Sequence, residues 1–350
     1  MKHRVAASAA RAPAAGEAGL ETTQSGQSPF VVYAPEFSDV LGPAPSYTTI
    51  PADAHEGPVY VRKWNAVLFT SVPATTNVPL AGDRNVFIGR LDLASREIST
   101  FVAATDMANG MTLDREGRLL ICEQGTRRRP ARITRMDLET KRSETVVESW
   151  SGLPFNSPND VVVQSDGTIW FTDPSYGSLQ GFRGAPQLGD FVYRHDPVDG
   201  STTVVADSFN KPNGLAFSPD ESILYINDSA AIQGPGTYIV TLPHHIRAFD
   251  VHAGRLRADR LIAVVSPGIP DGLKLDSAGR IYSSSATGVQ VFTPDGKLIG
   301  EILAPGVANF CFGGPENNTI FAMCDTNIVI ARIAAAGAIA PRPHKNSPRS

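Results

Sequence analysis

Apolar residues along this chain come in short runs divided by tight polar turns, and the spacing recurs. The stretch FNSPNDVVVQSDGTIWFTDPSYG, from Phe155 to Gly177, is the clearest instance. A run of valines, a turn at Asp166-Gly167 and a second apolar run predict strand, hairpin turn and strand. An Asn-Asp pair stands before the first strand, and Thr-Asp-Pro closes the second. Six segments share this pattern when aligned without gaps. They are EGPVYVRKWNAVLFTSV from Glu56, NGMTLDREGRLLICEQ from Asn109, NDVVVQSDGTIWFTDP from Asn159, NGLAFSPDESILYINDS from Asn213, DGLKLDSAGRIYSSS from Asp271 and NFCFGGPENNTIFAMCD from Asn309.

The segments start 53, 50, 54, 58 and 38 residues apart. Further strand-like runs, ARITRMDL, FVYRHDP and HIRAFDV, lie between them, and no long amphipathic helix is evident. About four strands per ~50 residues is the unit of a propeller blade. A lone four-stranded sheet exposes both faces, whereas radial packing buries them against each other. The pattern therefore predicts an all-β, six-bladed β-propeller over residues 29–335. The N-terminal run FVVYAPEFSDVLGPAPSYTTI is placed to close the ring. Residues 1–28 and 336–350, rich in small and polar types, are expected to be disordered tails.

In a propeller, the first residue of each innermost strand sits at one mouth of the central channel. Glu56, Asn109, Asn159, Asn213, Asp271 and Asn309 should therefore converge on one axis. Their side chains offer a cation only oxygen, which suits a hard divalent ion, Ca²⁺ ahead of Mg²⁺, Mn²⁺ or Zn²⁺. The competing reading is that Asn and Asp before strands are turn residues; Asn-Gly is a turn signal by itself. Six such residues at equivalent positions favour the site.

Composition narrows the function. The net charge of −4 gives no reason to expect a nucleic-acid surface. No run approaches a membrane span, and the N-terminus lacks the apolar core of a signal peptide. A cytoplasmic location is the expectation, with secretion the alternative. The three cysteines, Cys122, Cys311 and Cys324, read as buried small residues, with a Cys311–Cys324 bridge as the alternative. No GxSxG, Walker A or HExxH motif is present. His55, His195, His244 and His245 read as packing or surface residues, and strand alternation turns His55 away if Glu56 faces inward. Arg127-Arg128-Arg129 reads as a solvated loop, Tyr176–Leu188 as a Gly-rich connector able to cover the mouth, and Asp173 and Asp228 as strand-end caps.

The pieces HEGPVY, ANGMTLDREGRLLICEQGTRR, SPNDVVVQSDGTIWFTDPSYG, KPNGLAFSPDESILYINDS and PDGLKLDSAGRIY occur in the order that resembles the SMP-30/gluconolactonase/luciferin-regenerating family, nearest its gluconolactonase and aldonolactone-hydrolase branch. The resemblance implies a metal-dependent lactonase. It implies metal ligation by Glu56, Asn213 and Asp271, with Asp271 as general base. It places Asn159 beside metal and substrate, and Asn109 at the same mouth. The sequence departs from family members acting on sugar lactones at Ser157, where those often carry Arg. The substrate implied is a small lactone or ester, with no nucleic-acid or membrane partner, for a monomer or homodimer. An esterase or phosphotriesterase on the same site, and a non-catalytic scaffold holding a structural cation, are the alternatives.

Overall fold

The computed structural model describes residues 28–75, 84–233 and 236–339. Each of the six apolar hairpins forms the two inner strands of an antiparallel sheet, and the six sheets are the blades of a propeller. The inner strands are Glu56–Val61, Ala108–Leu113, Val161–Val163, Pro212–Phe217, Leu273–Leu275 and Asn309–Gly313, here blades 1 to 6. The runs between the hairpins supply third strands, among them Arg132–Met136, Phe191–His195 and His245–His252. The helical segments are short, Phe37–Leu41 and Tyr176–Leu179 being α-helical. Among the described residues no helix is long and apolar enough to cross a membrane.

The hairpin turns repeat one backbone solution. Asn65, Gly117, Gly167, Glu221, Gly279 and Asn317 all have φ between 46° and 92°. Each stands eight residues after the first residue of its repeat, nine in blade 1. One residue in the left-handed region lets the chain reverse within a tight turn, and Gly and Asn adopt it most readily. In blade 1 a 3₁₀ turn, Arg62–Trp64, precedes Asn65 and absorbs the extra residue.

The core is divided among the blade interfaces. Trp170 packs toward blade 4 with Leu215 and Ile226, while its neighbours Ile169 and Phe171 pack toward blade 2 with Leu120 and Cys122. Alternate side chains of a strand leave opposite faces. A strand covered on both faces therefore reads as an unbroken apolar run, which is why IWF and LLIC carry no polar alternation.

Closure uses both ends of the described chain. Ser46–Ala54 pairs with Asp325–Arg332 as the outermost strand of blade 6, whose other three strands come from the C-terminal end. Phe30–Val32 adds a fifth strand to blade 5, Phe30 opposite Ile302. The helix between them buries Phe37 and Val40 against blades 5 and 6. Tethering the first strand to the last blade removes the exposed edges an open array would leave.

The expected boundary at 335 shifts outward. Ser277 donates to the Ala336 carbonyl at 2.8 Å, and Ala338 donates to the Leu275 carbonyl at 2.9 Å, so residues 336–339 lie along the ring. The rest of the two expected tails, apart from Ser28, lies outside the described residues. The three cysteines are free and buried, so the Cys311–Cys324 bridge is absent.

Candidate active site at the channel mouth

The ring residues gain their common direction from two local devices. The first is a bulge. In blade 2 Ala108 pairs with Glu123 but Met111 with Ile121, so Asn109-Gly110 holds an extra residue. Blade 4 repeats this, with Pro212 opposite Asp228 and Leu215 opposite Ile226 around Asn213-Gly214. A bulge re-aims the side chain it carries, here where the strand enters the channel.

The second device is the glycine that follows. Gly110 donates its N–H to the Asn159 carbonyl at 2.8 Å, and Gly214 donates to the Asp271 carbonyl at 3.1 Å. A Cβ at Gly214 would stand 2.1 Å from that Asp271 oxygen, and one at Gly110 would stand 2.4 Å from the Asn159 oxygen. Gly57 and Gly272 approach Asn109 and Asn309 in the same way. The Asn-Gly and Asp-Gly pairs, which read as turn signals in the sequence, are close-approach points at which one inner strand touches the next blade.

Strand-end carboxylates fix the approach to the ring. Asp173 accepts the backbone N–H groups of Asn156 at 2.9 Å and Ser157 at 2.7 Å. Asp228 accepts those of Asn210 and Lys211, both at 2.9 Å. Glu123, at the matching end of blade 2, accepts the Asp106 N–H at 2.7 Å. These acids cap the loops that lead into the ring residues, as expected for Asp173 and Asp228. Burial pushes both Asp173 and Glu123 up to about 7, aided by Asp190 and Asp106 respectively.

Glu56, Asn109, Asn159, Asn213 and Asn309 are all buried, while Asp271 keeps an exposed edge. The Asn309 amide donates to Glu56 Oε2 at 2.9 Å, and the Gly57 N–H reaches the same oxygen at 3.1 Å. Burial raises Glu56 and Asp271 above the ordinary carboxylate range, Asp271 well above it. Asp160 adds to the rise at Glu56, and Glu56 to that at Asp271. Like charges gathered in a buried site oppose ionisation.

The structure adds groups that the repeat alone did not single out. Asp160, the partner of Asn159 in the Asn-Asp pair, is a further buried carboxylate beside the ring. Lys274 faces it at 3.9 Å and donates to Asn309 Oδ1 at 3.4 Å. Tyr176 arrives on the connector, buried, with its hydroxyl 3.3 Å from the Ser229 carbonyl. Nothing in the periodicity marks these positions, although the conspicuous Asn-Asp pair was a signal for Asp160.

His55 does not lie idle. It pairs with Asp325 through Nδ1 at 2.7 Å. Burial opposes its charge, but the Asp325 hydrogen bond and the fields of Glu56 and Asp271 raise it to about 9. His195 is a buried packing residue bonded to Thr202, as its position suggested. Arg127-Arg128-Arg129 is an exposed loop. Ser157 is fully buried. Its hydroxyl donates to the Pro174 carbonyl at 2.5 Å and accepts the Gly177 N–H at 2.9 Å, so it braces the connector instead of facing the channel.

The donor set fits a hard cation. Among the described residues no three His, Cys, Asp or Glu side chains meet to hold a metal by themselves, so amide oxygens must complete any such site. Asn109 Oδ1 and Asp160 Oδ2 are buried with no hydrogen-bond partner. Carboxylates that repel each other and orphaned oxygens are what a bound positive charge satisfies.

Fold and site together define a six-bladed β-propeller with a carboxylate- and amide-lined axial mouth. The model of the SMP-30/gluconolactonase/LRE-like region matches residues 55–324. The chain belongs to that family. It is 30% identical over 317 residues to a gluconolactonase from Zymomonas mobilis, covering 87% of this chain and 86% of that one. Lactonohydrolase oryL of Aspergillus oryzae is 29% identical, with 86% and 73% covered. A solved gluconolactonase structure from Xanthomonas campestris superposes with a TM-score of 0.73 at 30% identity, covering 87% of this chain and 95% of that one.

Proposed function

We propose that the protein is a metal-dependent lactonase of the gluconolactonase type. The observation that carries this reading is the convergence of Glu56 and Asp271 with Asn159 and Asn213 at one channel mouth. A scaffold has no use for buried carboxylates that raise each other's pKa, because each costs folding free energy unless a charge compensates it. The relatives named above are lactone hydrolases by name, which supports the same chemistry here.

Glu56, Asn159, Asn213 and Asp271 would hold the divalent ion, with Ca²⁺ the best match to an all-oxygen set that includes neutral amides. Such an ion supplies Lewis-acid stabilisation of the negative charge that develops on a carbonyl oxygen. Asp271 is the one ring carboxylate that is not fully buried, and its Pro-Asp-Gly motif is the one to which the family resemblance attaches the base. Its second oxygen takes the proton as water adds to the lactone carbonyl carbon. The ring C–O bond then breaks, and the same proton goes to the leaving alkoxide, giving the open hydroxy acid. Asn109 and Asn159 present amide groups to the lactone's polar edge and hold it over Asp271.

The test is hydrolysis by chelated protein with Ca²⁺, Mg²⁺, Mn²⁺ and Zn²⁺ restored singly, against sugar lactones, aliphatic lactones, aryl esters and a phosphotriester. Lactone turnover that disappears with chelator and returns with one ion is expected. Turnover confined to aryl esters or the phosphotriester would assign a different hydrolase. Absence of any turnover, with ions only raising the melting temperature, would leave a structural cation.

A further inference from the structure

The repeat predicts an oxygen from every ring position, but Asn309 presents a different group to its neighbour Glu56. Its Oδ1 accepts the backbone N–H of Phe310 at 2.8 Å and the Lys274 ammonium at 3.4 Å. Both partners can only donate, so the atom they meet is the amide oxygen. The amide nitrogen, on the other side, donates to Glu56 Oε2 at 2.9 Å. An ionised carboxylate can only accept, which fixes the same assignment from the second side. A flipped amide would set donor against donor and acceptor against acceptor.

Glu56 Oε2 also receives the Gly57 N–H at 3.1 Å. Two donors thus end on one oxygen of Glu56, and Oε1 is the oxygen left for a cation. We propose that Asn309 is a positioning residue: it does not ligate the ion, but holds the Glu56 carboxylate so that Oε1 is presented to it. The inference rests on the reading of Glu56 as a cation ligand. Without the amide, Oε2 keeps the Gly57 bond alone, and the carboxylate is free to turn about its last bond until an ion orders it. Outer partners that orient a ligand in this way are worth about 10–100-fold in metal affinity.

The amide is itself locked. Asn309 is buried at the start of the inner strand Asn309–Gly313 of blade 6, and it sits against Gly272, the residue after Asp271. A Cβ at Gly272 would stand 2.3 Å from Asn309 Oδ1 and 2.7 Å from its Cγ, so the amide fills the space of the missing side chain. Lys274 is anchored to the Leu273 carbonyl at 3.0 Å and stands 3.9 Å from Asp160 Oδ2. Glycine and lysine of blade 5 and the carboxylate of blade 1 therefore meet on one amide of blade 6. That amide crosses the seam at which the last blade meets the first.

The experiment is a double-mutant cycle read by calorimetric titration of chelated protein with Ca²⁺ and, separately, Mn²⁺. It uses wild type, Asn309→Ala, Glu56→Asp and the double variant, with lactone kinetics and the melting temperature in chelator measured alongside. Glu56→Asp keeps a carboxylate for the ion but, one methylene shorter, withdraws it from the amide. Asn309→Ala should weaken ion binding by about tenfold or more in the wild-type background, and by less than about threefold in the Glu56→Asp background. At saturating ion its kcat should return to within about threefold of wild type. Asn309→Leu keeps the volume without the polar atoms, and takes the place of Asn309→Ala if that variant melts more than about 5 °C lower in chelator.

Wild-type ion affinity in Asn309→Ala overturns the proposal and leaves the cation reading of the ring intact. An equal loss in both backgrounds also overturns it, because a residue that ligates the ion itself, or only supports the fold, does not act through Glu56. If wild type binds neither ion, the cation reading falls and the proposal with it.

Discussion

Gly214→Ala tests the geometry of the ring without removing any functional group. A Cβ at this position would lie 2.1 Å from the Asp271 carbonyl oxygen and 3.0 Å from the Leu273 nitrogen. Real Cβ contacts essentially never fall below 3.0 Å, so the inner strands of blades 4 and 5 must separate by about 0.9 Å. Both neighbours are backbone, so no side chain can swing away. Overpacking of this kind costs about 1–3 kcal/mol. Lengthening the 3.1 Å bond from Gly214 N–H to the Asp271 carbonyl adds about 1 kcal/mol. With an unfolding entropy near 2.1 cal/mol/K per residue, a propeller of this size loses about 1.5 °C per kcal/mol, giving a fall of roughly 3–6 °C. Activity should suffer more. Asn213 and Asp271 flank the contact, and a displacement near 1 Å lowers turnover about 100-fold. The assay is kcat/KM on the best lactone together with a thermal melt. Gly184→Ala is the control, because a Cβ there meets nothing within 4 Å. A Gly214→Ala protein with wild-type kcat/KM would refute the claim that this glycine sets the spacing between ring residues.

Three further outcomes are expected. Asp271→Asn should keep the fold, since the backbone bonds of residue 271 to Gly214, Asn227 and Ser284 do not involve the carboxylate, but lose about 10²–10⁴-fold in kcat; wild-type turnover would remove Asp271 from the chemistry. Glu123→Gln tests a buried acid outside the ring. Its folded-state pKa, about 7, lies above its ordinary value of 4.5, so stability is fully present below about pH 4.5 and is lost as pH climbs through 7. The amide oxygen can still accept the Asp106 N–H. The variant should therefore match wild type near pH 4.5 and exceed it by up to about 3 kcal/mol at pH 8, read as a melting-temperature difference that grows with pH; a constant difference would contradict the linkage. Ser157→Ala leaves the Gly177 N–H and the Pro174 carbonyl without their partner. It should lower stability by about 1–3 kcal/mol in chemical denaturation, and no change would mean that the connector is held by its other bonds.

The blade repeat was legible in the sequence because it is a local pattern. Two apolar runs and a turn residue eight positions in are dictated by strand period and by the left-handed turn, both properties of neighbouring residues. Six copies implied a closed ring, and residue types at the copies' first positions implied an oxygen-lined mouth. The family's motifs then attached roles to Glu56, Asn159, Asn213 and Asp271. Tertiary structure decided what depends on residues distant in the chain. Ser157, whose position raised a question of substrate preference, is turned inward to brace the connector because Pro174 and Gly177 offer it an acceptor and a donor. Asp160 joins the charge cluster only because the ring brings it beside Glu56, about a hundred residues away in sequence. Tyr176 meets the Ser229 carbonyl of the next blade because the connector of blade 3 crosses to it. The glycines after the ring residues carry the same lesson. Their dipeptides spell a turn locally, but what makes a side chain impossible there is the backbone of the adjacent blade, and no single stretch of sequence contains both.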